Sequence, residues 1–279
     1  MESRSTERTS NFGNDKGQNI FYRNWVNGGR PKCVVIIIHG LNSHSGYYKN
    51  FAAQLNEHQY EVYALDLRGR GESDGERYYI SDYRDIISDI DQLIEIIICE
   101  HPNRPIFLLG HSAGGVFASV YAVTHQAKLK GLIAESFAFH LPVPGFALAV
   151  MKLLGNLIPH TRLVKLNNQD FSRDQSVVET MNNDPLLANE KQPAKTMQQL
   201  LYAADFLKNN MSEINLPLLI LHGTADKATN PSGSKYFFEQ ASSTDKRLKL
   251  YEGHYHDLLN DKYHGIVVKD ILRWLHERI

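Results

Sequence analysis

Apolar runs separated by amphipathic segments set the pattern of this chain. Residues 33–40, CVVIIIHG, form a continuous β-branched stretch without polar alternation, as in a strand buried on both faces of a mainly parallel sheet. YEVYALDLRG, PIFLLGHS, LKGLIAE and LPLLILHG repeat that pattern, with IFYRNWV (20–26) and KRLKLYEG as further strands near the two ends. Helical periodicity lies between them. From Asp82 to Glu100, Tyr83, Ile86, Ile87, Ile90, Leu93, Ile94 and Ile97 recur at three- and four-residue steps, so one stripe faces the core. Ser81 or Asp82 is positioned to cap that helix. YYKNFAAQLNEHQ, AGGVFASVYAVTH, PSGSKYFFEQAS and the terminal GIVVKDILRWLHERI are the other helices expected of the body. Strand and helix in alternation predict right-handed crossovers and an α/β fold with a doubly wound sheet.

The alternation lapses twice. Residues 1–19 are polar throughout and are expected to form a flexible extension. Residues 136–213 read as helix and loop, with Pro142, Pro144, Pro159, Pro185 and Pro193 as punctuation. Such a stretch far exceeds ordinary loop lengths, so it is expected to be a helical cap or lid inserted into an α/β core made of residues 20–135 and 214–279.

Composition narrows the partners. A net charge of −1 argues against nucleic acid and against broad attraction to an anionic membrane. Cys33 and Cys99 both sit in apolar runs and read as buried free thiols. No apolar signal segment opens the chain, and no stretch approaches the roughly 18–20 apolar residues of a membrane span. The expectation is a soluble, cytoplasmic protein. The oligomeric state is left open.

Gly110-His111-Ser112-Ala113-Gly114 fits G-x-S-x-G between a buried strand and a helix, the setting a nucleophile elbow needs. The turn requires small residues two positions either side of the serine. It lifts the hydroxyl over a helix N-terminus, whose dipole and free N–H groups favour developing negative charge. A capping serine in an ordinary turn is the competing account, and the presence of a base and an acid decides between them. Asp226 follows LPLLILHG, and His254 and His256 follow KRLKLYEG, so the order Ser, Asp, His is that of this hydrolase arrangement. Asp226 would fix the histidine tautomer through Nδ1 and leave Nε2 to take the serine proton. Asp205, a rival acid, falls inside an expected helix. Local chemistry favours His256 over His254 only modestly. The oxyanion donors are the backbone N–H groups of Ala113, after the nucleophile, and of Leu41 in HGLNSHSGYY, a loop that His44 and Ser45 are placed to brace.

With HGLNSHSGYY, DLRGRGESDGER, GHSAGG, SRDQSVVETMNNDPLL, LILHGTADKATNP and GHYHDLLND in order, the chain resembles the α/β-hydrolases of the monoacylglycerol lipase and lysophospholipase group. The resemblance spans nearly everything after residue 18. It implies a mostly parallel eight-stranded sheet with helices on both faces and a cap, no metal or organic cofactor, and His256 as the catalytic histidine. It also implies a structural place for Asp184 in NNDPLL. Glu135 in AESFAFHLPVPG departs from the group's pattern, and a paired structural carboxylate or a part in headgroup choice is expected of it.

The expected activity is hydrolysis of a lipid monoester, most closely monoacylglycerol to glycerol and fatty acid. The alternatives are a lysophospholipase, a broad carboxylesterase or a hydrolase-fold ligand receptor. VPGFALAVMKLLGNLIP (143–159) carries only Lys152 and Asn156 as strongly polar residues, so it suits a helix packed on the body, a lid touching membrane transiently, or both. Phe137, Phe139, Leu141, Phe146, Leu148 and Met151 are the expected lining of an acyl site.

Overall fold

The computed structural model describes residues 5–187 and 190–279. In chain order the elements are β1 (Thr6–Gly13), β2 (Asn19–Val26), β3 (Cys33–Ile38), α1 (Lys49–Glu57), β4 (Tyr60–Leu65), α2 (Tyr83–Glu100), β5 (Ile106–His111), α3 (Ala113–His125) and β6 (Gly131–Glu135). There follow α4 (Gly145–Leu157), β7 (Arg162–Val164), α5 (Gln175–Asn183), β8 (Gln192–Pro193) and α6 (Ala194–Asn210). The chain closes with β9 (Leu218–Gly223), α7 (Pro231–Gln240), β10 (Lys246–Tyr251) and α8 (His264–His276).

Eight strands form one sheet in the order β1-β2-β4-β3-β5-β6-β9-β10. β1 and β2 run antiparallel, and every pair from β4 to β10 is parallel. β3 explains why the central strands carry no polar alternation. Val34, Ile36 and Ile38 pack on one face with α2 and α3 residues, while Cys33, Val35 and Ile37 pack on the other with α1 and α8 residues. Both faces are covered, so every position is apolar, and each buried Val or Ile contributes about 1.5–3 kcal/mol. α2 presents Ile86, Ile90, Leu93, Ile94 and Ile97 to the core, and Asp82 caps it by accepting from Arg84 N–H at 2.9 Å. Its buried exception, Asp89, is paired with Arg68 through Nε at 2.8 Å and Nη2 at 2.7 Å.

Two expectations are corrected by the fold. The N-terminal extension is an ordered edge strand: β1 pairs with β2 along its whole length, from Thr6↔Val26 to Gly13↔Asn19. Its side chains are nearly all exposed, so backbone hydrogen bonds hold it and no hydrophobic pattern announces it. Residues 1–4 of that extension lie outside the described residues. Cys33 is buried as expected, but Cys99 is exposed on the outer side of α2.

Between β6 and β9 the chain leaves the sheet and builds α4 to α6, with β7 and β8 pairing in a small antiparallel ladder; residues 188–189 of this stretch lie outside the described residues. α4 lies against α6 at Gly155, where a Cβ would fall 2.5 Å from Gln198 Cβ. Gln198 Nε2 fastens the pair by donating to Lys152 O at 2.6 Å and Asn156 Oδ1 at 2.8 Å. The opposite face of α4 leaves Val150, Leu153 and Leu157 exposed, together with Phe146 at 74%. Among the described residues no helix is long and apolar enough to cross a membrane.

Candidate active site

β5 ends at His111 and α3 begins at Ala113, so a single residue, Ser112, makes the turn, with φ 56° and ψ −119°. That is a costly backbone conformation for a side-chain-bearing residue, about 1–3 kcal/mol, and it persists because its surroundings permit nothing else. A Cβ at Gly110 would lie 2.4 Å from Gly114 O, and one at Gly114 would lie 2.1 Å from Ile38 O. Both glycines are therefore steric requirements of the turn. Ser112 N–H donates to Glu135 O at 2.9 Å, which anchors the turn to β6. Ala113 opens α3, so its N–H has no acceptor within the helix, and the residue lines the same cavity as Ser112.

Asp226 stands in the loop after β9. Its Oδ1 accepts from the N–H groups of Ala228 at 2.8 Å and Thr229 at 2.9 Å. Its Oδ2 lies 2.8 Å from His256 Nδ1, 2.8 Å from Thr229 Oγ1 and 3.1 Å from His222 Nε2. Burial pushes this carboxyl up, but the attraction of His256 and the hydrogen bonds from His222 and His256 hold it well below the usual carboxylate range. It is ionised throughout the neutral range. His222 has Nδ1 2.7 Å from Ser234 Oγ, so Nδ1 takes the hydroxyl hydrogen and Nε2–H is free to donate to Asp226.

His256, in the loop after β10, is buried and stands edge-on to Phe171, with ring centroids 5.0 Å apart. His254 is buried too. Its carbonyl accepts from Ala225 N–H at 3.1 Å and its Nε2 is unpartnered, so it supports the Asp226 loop by backbone while His256 meets the carboxylate. Asp205 lies on α6 in an ion pair with Lys152. His222 and Thr229 escaped the sequence reading. The HG that ends β9 was the available signal for His222, and it looks identical to the HG that follows β3.

The loop after β3 carries Leu41. His39 Nε2 accepts from Leu67 N–H at 3.0 Å, so its Nδ1–H donates to Gly40 O at 2.7 Å. Burial drives the His39 pKa down to about 4 against the opposing pull of Asp66, which keeps that tautomer neutral. A trans peptide points Leu41 N–H opposite to the Gly40 carbonyl that His39 holds. His44 and Ser45 brace the loop: His44 Nε2 lies 2.9 Å from Asp184 Oδ2, and Ser45 N–H donates to Asp66 Oδ1 at 2.6 Å. Asp184 also accepts from Tyr47 Oη at 2.8 Å, a structural place in keeping with its expected role.

Leu41, Ser112, Ala113 and His256 share the wall of one cavity of about 40 Å³. Leu141, Leu166, Phe171, Met197 and Ala228 form the boundary between it and a larger, mostly apolar cavity of about 310 Å³. Of the expected acyl lining, Leu141, Leu148 and Met151 line this larger space. The other three do not. Phe137 is fully buried in the core, stacked on Phe237 at 4.9 Å, and Phe139 stacks on Tyr236 at 5.5 Å. Phe146 shares the outer face of α4 with Val150, Leu153 and Leu157, a three- and four-residue spacing opposite to Ala147, Leu148 and Met151. Val164, Met197, Leu201, Lys165 and Lys227 complete the wall from distant parts of the chain.

Behind the elbow, His111, Glu135 and Asp257 bring ligand-type atoms within 4.8 Å of one another, all buried. Both Glu135 oxygens lack a close hydrogen-bond partner. Burial and the neighbouring Asp257 push the Glu135 carboxyl well above its ordinary range, and burial raises Asp257 as well. Glu135 lies near Asp257 and His111 beneath the elbow and lines neither cavity.

Comparison with known proteins places the chain in a family. Residues 29–263 match the Hydrolase_4 family, described as "Serine aminopeptidase, S33". The chain is 33% identical over 271 residues to the monoglyceride lipase of Rattus norvegicus, covering 95% of this chain and 89% of the relative. It is 30% identical over 273 residues to the monoacylglycerol lipase of Mycolicibacterium smegmatis, covering 97% and 98%. The crystal structure of the Paleococcus ferrophilus monoacylglycerol lipase superposes with a TM-score of 0.84 at 30% identity, covering 93% of this chain and 99% of that one. With its elbow, its sheet order and matches of this extent, the chain belongs to the Hydrolase_4 family of α/β serine hydrolases, among relatives that include monoacylglycerol lipases.

Proposed function

We propose that the protein hydrolyses the ester bond of a lipid monoester, most closely a monoacylglycerol, through an acyl-enzyme on Ser112. The observation that carries this is the shared cavity: Ser112 and His256 face one space, with Asp226 2.8 Å behind the imidazole and an apolar chamber of acyl-chain proportions alongside. Relatives named as monoglyceride and monoacylglycerol lipases add weight to the substrate class.

In this mechanism His256 Nε2 takes the Ser112 proton as Oγ attacks the ester carbonyl. Asp226 stabilises the imidazolium that forms, and the N–H groups of Leu41 and Ala113 receive the oxyanion. His256 then protonates the leaving glycerol oxygen. Water, activated by the same imidazole, attacks the acyl-enzyme and frees the fatty acid. Residues 136–213 act as the cap over this chemistry, and the exposed apolar face of α4 makes transient contact with a membrane surface where substrate resides.

Lys165 and Lys227 on the wall of the larger cavity favour a second substrate, a lysophospholipid with its anionic headgroup. Steady-state rates on monoacylglycerols and lysophospholipids of matched acyl length separate the two. Higher kcat/KM on the monoacylglycerol supports the first, and the reverse order, abolished by Lys227→Ala, supports the second.

A further inference from the structure

Leu41 is held from two sides, and the second side belongs to the segment between β6 and β9. Glu190 is buried, and its Oε1 accepts from Asn42 N–H at 3.0 Å, the amide immediately after Leu41. The same oxygen receives Arg70 Nη1 and Gln192 Nε2, the latter at 2.6 Å. Arg70, itself buried, donates through Nη2 to Gln192 Oε1 at 2.6 Å. Asn42 sits at φ 59°, a left-handed conformation that an asparagine tolerates when its neighbours fix it, and its Nδ2 donates to Asn168 Oδ1. On the opposite side the loop has no slack: a Cβ on Gly40 would stand 2.7 Å from Ser112 Cβ.

From this we infer that Glu190 is a positioning residue for the oxyanion hole, by which the cap holds the Leu41 amide at the serine. His39 orients the peptide before Leu41 and Glu190 the peptide after it. Arg70 pairs with the Glu190 carboxylate and fixes it in place, because a buried carboxylate needs a paired cation. The tight Gly40–Ser112 contact means that a shift of this loop alters the Leu41 amide relative to the nucleophile. Displacement of the Glu190 segment therefore reduces turnover without touching Ser112, Asp226 or His256. The inference rests on the serine-hydrolase mechanism proposed above.

The test compares Glu190→Ala with Glu190→Gln in the full chain, using a soluble ester. Oxyanion donors act on the transition state, so Glu190→Ala is expected to lower kcat about 10- to 100-fold with KM changed less than about threefold. Glu190→Gln keeps an acceptor for Asn42 N–H and is expected to recover most of kcat. A folded Glu190→Ala protein with wild-type kcat overturns the inference. If removal of the carboxylate prevents folding, R70Q/E190Q is compared with R70L/E190L: both remove the buried charges, and only the glutamine pair retains the acceptor. Equal kcat, or failure of both to fold, in that comparison also overturns it, because the pair is then structural. Labelling of wild type and Ser112→Ala with a fluorophosphonate runs alongside. Equal labelling of both contradicts the underlying mechanism, whereas labelling lost only in Ser112→Ala leaves the Glu190 result to be judged on its own.

Discussion

Asp226 Oδ2 lies 2.8 Å from His256 Nδ1, and this contact joins two loops that leave the sheet at different strands. The same oxygen lies 3.1 Å from His222 Nε2, so the carboxylate is held independently of His256. Asp226→Asn keeps the shape but replaces the acceptor for Nδ1–H with a group that can present a donor. It is expected to lower kcat about 10³- to 10⁴-fold with the fold intact, measured with a soluble ester.

The depressed Asp226 carboxyl also predicts an acid dependence of stability. Its folded value lies below its unfolded one, so its contribution is present above the unfolded pKa of about 3.9 and is lost as pH falls below that. Urea unfolding of wild type and Asp226→Asn between pH 3 and 7 checks this. The advantage of wild type is expected to be constant above about pH 5 and to begin shrinking as pH falls below about 4.

Glu135 predicts the opposite slope. Its folded value is raised by burial and by Asp257, so its contribution is present below the unfolded pKa of about 4.3 and is lost as pH rises toward the folded value. Glu135→Gln, neutral at every pH, is expected to gain on wild type in melting temperature between pH 5 and pH 8. An unchanged difference across that range contradicts a raised Glu135 carboxyl.

Leu148 and Met151 line the larger cavity, so filling it there shortens the acyl space. Met151→Trp is expected to move the optimum to shorter esters. At about 0.8 kcal/mol per methylene, each carbon excluded costs about fourfold in kcat/KM relative to wild type. Rates across a p-nitrophenyl ester series report it.

On the outer face of α4, Phe146 and Leu157 are exposed and line neither the cavity at the serine nor the larger one beside it. F146S/L157S is expected to weaken partitioning to phosphatidylcholine vesicles by about tenfold or more while leaving hydrolysis of a water-soluble ester unchanged. Co-sedimentation with vesicles measures the first effect and a soluble-ester assay the second.

The legible parts of the sequence were those where burial constrains every residue. β3 reads as a two-faced core strand because both faces carry helices, while strand ends and chain order gave Asp226 and the pair His254 and His256, between which the family resemblance chose. β1 was invisible because an exposed edge strand is held by backbone bonds, and polar side chains record nothing of that. α4 is apolar on both faces, so its sequence did not say that Leu148 lines the cavity while Phe146 meets solvent. Arg70 and Glu190 lie 120 residues apart in the chain, and only the fold brings them together beside Asn42.

Mass spectrometry of the protein quenched during turnover of a monoacylglycerol tests the central claim most directly. The mechanism predicts an acyl group of the substrate's length on Ser112, absent from Ser112→Ala, which also loses hydrolysis by at least about 10³-fold. Acylation at another residue, or undiminished hydrolysis by Ser112→Ala, would contradict it.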